Sequence, residues 1–328
     1  MSLDADLIVD RRRMRRKLTF WRVFAILLVI GAVIGTGAAL RGRDGDVLGG
    51  GPGGSIARVS ITGLIRGDQQ RVEAIERLSR SAAKAVIVHI NSPGGTTSGS
   101  EELYDSLKRL KEQKPTVVVV DGLAASGGYI AAIAADHIVA QETSLVGSIG
   151  VLFQYPNFTD LLKTLGVKVE EIKSSPLKAA PNGFEPTSPE ARAAIEEIVK
   201  DSYAWFRGLV KDRRQLDDAA LDRVADGRVF TGRQGVLLKL VDELGDEKTA
   251  VAWLASAKNV DPKTPVRDYR LRDRLSDLPF LHTAAVVTLD AIGLGGLARQ
   301  VEASGAVQAI ERLNLDGLLA LWHPPAAN

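Results

Sequence analysis

After residue 55 the apolar positions follow two alternating periods. The runs IARVSITGLI (56–65), AVIVHI (85–90) and TVVVV (116–120) read as strands, the last two as strands buried on both faces. Between them, residues 68–82 and 98–112 carry apolar side chains at helical spacing. Short β-branched runs separated by amphipathic helices predict βαβ units with right-handed crossovers and a parallel sheet, an α/β fold. The rhythm then loosens. Residues 125–135 read as a helix of small residues, 137–140 and 145–153 as short strands, 157–165 as a helix and KVEEIK (168–173) as a strand. A long helix is expected from Pro189 to about Arg214, and a Gly-bounded one over 231–238.

Residues 23–40 fit neither period, because they carry no charge at all. At 1.5 Å per residue they span about 27 Å, close to the roughly 30 Å of a bilayer core. Arg11, Arg12, Arg13, Arg15, Arg16, Lys17 and Arg22 precede them, whereas Arg41 and Arg43 on the far side are diluted by Asp44 and Asp46. That asymmetry predicts a cytoplasmic N-terminus over 1–22, a transmembrane anchor in membrane lipid over 23–40, and everything downstream outside the cytoplasm. A cleaved signal peptide is the alternative, since Gly37, Ala38 and Ala39 offer small residues, but the apolar stretch exceeds the roughly 7–15 residues of a signal-peptide core. Residues 41–55 contain seven Gly and one Pro and read as a linker. The folded body is expected over 56–260. From 261 to 328 a charged segment leads into apolar residues 278–297, where Asp290 and His282 argue against a second span and for packing or oligomerisation.

Composition narrows the chemistry. The 328 residues hold 42 basic and 40 acidic side chains, a net charge of +2, so the basic stripe that nucleic acid requires is missing. With no Cys, thiolate nucleophiles, disulfides and Cys-type metal sites are excluded. The four His show no metal-ligand spacing, and no cofactor or metal is expected. Catalysis is left to Ser, Thr, Lys, Asp or Glu.

Two strand ends carry such residues. AVIVHI runs into Asn91-Ser92-Pro93-Gly94-Gly95, and VVVVDG runs into Leu123-Ala124-Ala125-Ser126-Gly127-Gly128-Tyr129. Ligands of open α/β sheets collect beyond the carboxyl ends of the strands. Gly94 and Gly95 let the backbone approach a bound group and aim N–H donors at it, as an oxyanion hole requires. Ser126 falls where a strand turns into a helix, the placement of a nucleophile; a serine that merely caps the helix has the same pattern. His89 and His137 lie inside strand-like runs and read as structural, so a Lys base enters consideration. In IKSSPLKAAP (172–181), Lys178 is flanked by Leu177, Ala179, Ala180 and two Pro, the apolar setting that favours a neutral amine. A solvated loop Lys fits the same residues. Lys173 follows Glu170 and Glu171 and is expected to be solvated at a strand end.

The NSPGG, ASGGY, TSLVGSIG and IKSSPLK segments, with the later F-T-G-x-x-G and L-V-D stretch (230–242), occur in an order that resembles the short, membrane-anchored form of the bacterial signal peptide peptidase A family. The resemblance covers about 56–248. It departs at Ser175, Leu177 and Ala179, where the family more often has Gly, an aromatic residue and another residue type. It implies a crotonase- or Clp-protease-like fold of repeated βαβ units and a Ser/Lys dyad: Ser126 as nucleophile, Lys178 as general base, Ser148 orienting the Lys amine. Gly94 or Gly95, with Gly127, would supply the oxyanion N–H groups. The implied protein is a serine endopeptidase of the bacterial inner membrane, a homo-oligomer that hydrolyses apolar peptides such as cleaved signal peptides. A crotonase-like acyl-CoA enzyme and an inactive membrane-tethered scaffold of the same fold are the alternatives. The first would need acidic catalytic residues, and the second would have no use for both Ser126 and Lys178.

Overall fold

The structure is a computed structural model that describes residues 54–271 and the strand at 318–321. The basic N-terminus, the expected anchor over 23–40, nearly all of the linker and the apolar stretch 278–297 lie outside the described residues. Among the described residues no helix is long and apolar enough to cross a membrane.

The order of elements starts with β1 (Ile56–Thr62), α1 (Gln69–Ser79), β2 (Ala85–Ser92), β3 (Gly94–Thr96), α2 (Thr97–Gln113), β4 (Thr116–Ala125) and α3 (Gly127–Ala132). It continues through β5 (His137–Ala140), β6 (Leu145–Gly147), β7 (Leu152–Phe153), α4 (Thr159–Thr164), α5 (Pro189–Arg214), α6 (Asp218–Val224) and β8 (Val229–Thr231). Last come α7 (Gly232–Leu237), β9 (Glu243–Leu244), α8 (Glu247–Lys258), β10 (Val266–Asp268) and β11 (Leu318–Leu321). The long helices begin where a short polar side chain can accept an orphan N–H. Asp68 accepts from Arg71, Thr96 from Gly99, and Ser188 from Ala191 just ahead of Pro189.

An eight-stranded sheet runs β10-β1-β2-β4-β5-β9, with β6 and β8 branching from β4. Every pairing in it is parallel except β6 with β8. Its inner strands are buried on both faces, as their unbroken β-branched runs require. Ile56, Ile87, Val117, Val119 and Val139 pack under Ala250 and Leu254 of α8, while α3 packs against β2 and β4 on its way to α2. β10 arises from the segment after residue 260 and extends the sheet beyond β1. A second, smaller antiparallel sheet runs β3-β11-β7.

β4 is ten residues long, twice the apolar run expected for it. Its first half, through Val120, pairs with β5, and its second half, Leu123 to Ala125, pairs with β6. A register shift against β2 between Ile90 and Ser92 accompanies the change of neighbour. The outcome is that β4 leaves one part of the sheet and ends beside Gly147.

The strand expected at 168–173 does not form. KVEEIK lies in a segment without regular structure, and Val167, Val169 and Ile172 are exposed. Its alternating pattern meets no strand edge among the described residues, and a strand without a neighbour leaves its backbone groups unpaired.

Candidate active site

Ser126 follows the last residue of β4. Its backbone N–H donates to the carbonyl of Gly147 at 2.8 Å, continuing the ladder in which Ala125 faces Gly147. The turn into α3 requires φ 55° and ψ −117° at Ser126, a conformation that L-residues seldom adopt. The residue is 1% exposed, and its Oγ has no hydrogen-bond partner among the described residues. A serine acting as a helix cap would spend its hydroxyl on a backbone N–H, and this one makes no such bond. The expected nucleophile thus has a strained backbone and an uncommitted, buried hydroxyl.

Ser148 follows directly on the Gly147 that receives the Ser126 N–H. It too has a positive φ, 52°, and is buried. Its N–H donates to Arg228 O at 2.8 Å, and the next strand, β8, places Phe230 over Gly147, where a Cβ would come within 3.1 Å of the ring. The F-T-G-x-x-G stretch is therefore the support on which the Ser148 turn rests, a role its spacing alone did not reveal.

The NSPGG turn faces the same place. Gly128, two residues beyond the serine, lies so close to Ser92 that a Cβ there would come within 2.7 Å of the Ser92 carbonyl. Gly95 is packed even closer to the chain leaving β1, its hypothetical Cβ falling 1.7 Å from Ile65 O. Gly94 adopts φ 102°, and its N–H donates to Ser92 Oγ at 3.1 Å, while Ser92 donates to Gly63 O at 2.7 Å. Of the two glycines, Gly94 is thus committed inside the turn, and Gly95 lies opposite Ala320 of β11. Gly127, the first residue of α3, has no intrahelical acceptor for its N–H.

Distant segments fix the position of α3. Tyr129 is buried beneath the nucleophile turn and donates its hydroxyl to Leu240 O at 2.9 Å, and burial drives its pKa upward. At the other end, Arg213 of α5 donates to Ile133 O at 2.7 Å and to Ala135 O at 2.7 Å, satisfying carbonyls where α3 runs out.

Lys178 stands exposed in this single chain, in a turn closed by its own N–H to Ser175 O at 3.1 Å, and its side chain forms no hydrogen bond or ion pair with the described residues. The apolar neighbours expected to bury it do not, because the loop between α4 and α5 packs little of itself on the sheet and leaves Leu177 and Phe184 exposed. Lys173 pairs with Glu171 at 2.8 Å and with Glu185, and those hydrogen bonds raise its pKa and keep it charged. His89 and His137 are structural. His89 lies between Asp121 at 2.8 Å and Glu247 at 2.9 Å, and His137 stacks on Trp253 with centroids 4.6 Å apart. Between β7 and α5, a cavity of about 310 Å³ is lined by Phe153, Tyr155, Pro181, Ile195 and Val199 together with Arg192, Glu196 and Lys200. No group of metal-ligating side chains occurs among the described residues.

A buried serine with an unpartnered hydroxyl on a strained strand-to-helix turn is the arrangement a serine hydrolase requires. Residues 108–261 match the model of peptidase family S49, and 68–144 match that of Clp protease. A protein of Synechocystis sp. that carries a provisional protease name is 36% identical over 209 residues, 63% of this chain and 76% of the relative. A second, from Methanocaldococcus jannaschii, is 34% identical over 255 residues, 73% of this chain and 81% of the relative. The chloroplastic serine protease SPPA of Arabidopsis thaliana is 30% identical over 276 residues, 81% of this chain but 40% of that protein. The protein is accordingly a serine peptidase of mixed α/β, Clp-protease-like fold. The chain belongs to peptidase family S49, the family of signal peptide peptidase A.

Proposed function

We propose that the protein is a membrane-anchored endopeptidase in which Ser126 and Lys178 form a Ser/Lys dyad that hydrolyses apolar peptides such as cleaved signal peptides. The buried, unpartnered Oγ of Ser126 on its strained turn is the observation that carries this reading. Such a hydroxyl is held ready to attack. The neutral Lys178 amine takes the Ser126 proton as Oγ bonds to the peptide carbonyl carbon, and the N–H groups of Gly95 and Gly127 receive the developing oxyanion. Collapse breaks the C–N bond, with the proton passing from Lys178 to the departing amine. A water that gives its proton to Lys178 then attacks the acyl-enzyme and releases the acid, and that proton returns to Ser126.

Lys178 needs an apolar cover to work as a base, and the loop that carries it exposes Val167, Val169, Ile172, Leu177 and Phe184. A second copy of the chain packed on this loop would bury both, which is why we read the active form as a homo-oligomer. The uncharged stretch 23–40 behind its basic cluster supports an anchor with the peptidase on the extracytoplasmic side of the inner membrane.

Incubation of the detergent-solubilised chain with a fluorophosphonate should add one adduct to Ser126, read by intact mass, and an apolar lipopeptide should be cleaved. Ser126→Ala and Lys178→Ala should each abolish turnover with the fold intact, while His137→Gln should keep it. Full peptidase activity in folded Lys178→Ala would remove the dyad. A reporter fused at residue 328 that is active only in the cytoplasm would refute the topology.

A further inference from the structure

The carboxyl end of β2 holds a serine that the mechanism above does not use. Ser92 is 0% exposed, and its hydroxyl is engaged on both sides: it donates to Gly63 O at 2.7 Å and accepts the Gly94 N–H at 3.1 Å. Gly63 follows β1 and Gly94 opens β3, so one side chain fastens two separate turns to each other. Backbone bonds continue the seam. Gly63 N–H donates to Asn91 O at 3.1 Å, Ile65 N–H to Gly94 O at 2.9 Å and Thr96 N–H to Ile65 O at 2.9 Å. The Gly94–Gly95 peptide is trans, and a trans peptide sends its N–H opposite its C=O. With Gly94 O turned to Ile65, the Gly95 N–H therefore leaves the turn on the face away from Ile65.

The backbone of Ser92 also meets the nucleophile turn on both flanks of Ser126. Ser92 pairs with Ala124 ahead of the nucleophile, and its carbonyl lies 2.7 Å from where a Cβ on Gly128, beyond the nucleophile, would sit. Ser92 is thus the residue at which the glycine turn is fixed to the Ser126 turn, and its hydroxyl sets how the glycine turn is tilted.

We propose that Ser92 is a positioning residue for acylation: its hydroxyl holds the Gly94–Gly95 peptide at one angle to Ser126, and so aims the Gly95 N–H at the developing oxyanion. This rests on the peptidase reading, which gives Gly95 that task. Ser92 itself touches no reacting atom. Without the hydroxyl, Gly63 O and Gly94 N–H lose their shared partner, and Gly94, at φ 102°, has no side chain to keep the peptide from turning. A group misplaced by about 1 Å costs on the order of 100-fold in rate. Contacts made equally in the ground state are spared, so KM is not expected to follow.

The test compares the full-length parent with Ser92→Ala and with Ser100→Ala. Ser100 is also 0% exposed and donates its hydroxyl to Thr96 O at 2.8 Å, so its loss removes a bond of the same kind away from the Gly94–Gly95 peptide. On an apolar lipopeptide, Ser92→Ala should lower kcat about 100-fold with KM within about twofold, and Ser100→Ala should leave both within about twofold. A peptide boronate, whose tetrahedral adduct with Ser126 places an oxygen in the oxyanion position, should bind Ser92→Ala about 100-fold more weakly. The same peptide ending in a carboxamide should bind Ser126→Ala equally with and without Ser92→Ala. If Ser92→Ala does not fold, Ser92→Cys takes its place, since its S–H is a weak donor, with a loss of about tenfold in kcat at unchanged KM. Unchanged kcat in the folded variant would overturn the proposal, as would an equal loss in Ser100→Ala or an equal loss in binding of the carboxamide. A parent that neither cleaves the lipopeptide nor takes the boronate would refute the peptidase reading and this proposal with it, whereas an active parent matched by Ser92→Ala would refute the positioning role alone.

Discussion

Ser126→Gly should make the protein inactive and more stable. At φ 55° and ψ −117° the serine holds a backbone conformation that costs about 1–3 kcal/mol in an L-residue and little in glycine. Its buried Oγ, without a partner, carries a further desolvation cost of about 1–3 kcal/mol. Against these stands the extra freedom glycine gives the unfolded chain, about 0.4–1 kcal/mol. The low ends of the two ranges leave a net gain near 1–2 kcal/mol. At roughly 2–4 °C per kcal/mol for a domain of this size, Tm should rise by at least a few degrees. Ser126→Ala separates the two sources, since it removes the hydroxyl and keeps the strain. It should fall between parent and glycine variant in both Tm and urea midpoint at pH 7. A glycine variant no more stable than the parent would refute the reasoning, and an alanine variant equal to it would show that the turn stores no strain.

Three further outcomes follow from other contacts. Gly95→Ala places a Cβ 1.7 Å from Ile65 O and should cost at least about 3 kcal/mol in urea unfolding, whereas Gly63→Ala, at φ 72° with nothing within 4 Å, should cost about 1–2; equal costs would mean that the Ile65 contact yields freely. Arg213→Ala frees the carbonyls of Ile133 and Ala135 and should cost about 1–3 kcal/mol, with kcat falling more than KM rises; unchanged kcat would show that α3 holds its place without the cap. Glu247 is held below its usual 4.5 by the hydrogen bond from Arg58, against the penalty of burial and with help from His89. Its stabilisation is therefore complete above pH 4.5 and lost as pH falls through the lower folded value, so Glu247→Gln should flatten the acid side of a stability profile taken from pH 6 to pH 3. An acid slope identical to the parent's would rule this out.

The inner sheet could be read from the sequence because its strands are buried on both faces, so that AVIVHI and TVVVV carry the signal by themselves. The long helices could be read equally well, two from their apolar spacing and the third from its start at Pro189. Strands of two or three residues, such as β3, β8 and β9, are shorter than any period that could reveal them, and they exist only because neighbouring segments offer an edge. KVEEIK shows the converse: it has the alternation of a strand and finds no edge among the described residues. At the site, Ser126 and the paired glycines were legible because turns restrict residue type. That Gly94 is committed to Ser92 was not, since it depends on a hydroxyl two residues back in a turn whose path no spacing encodes. Lys178 could be named from its motif, but its environment depends on what covers the loop, and the described residues do not supply that cover.

Several supports of the Ser126 turn come from later in the chain than the turn itself. Arg213 reaches back to Ile133, Arg228 holds Ser148, and Leu240 accepts the Tyr129 hydroxyl across 111 residues. Ribosomes add about 5–20 residues per second, so Ser126 is synthesised roughly 6–20 s before the last of these partners exists. During that interval the serine is an ordinary residue on an unsupported chain. The peptidase is thus inert while its own unfolded segments are most open to cleavage.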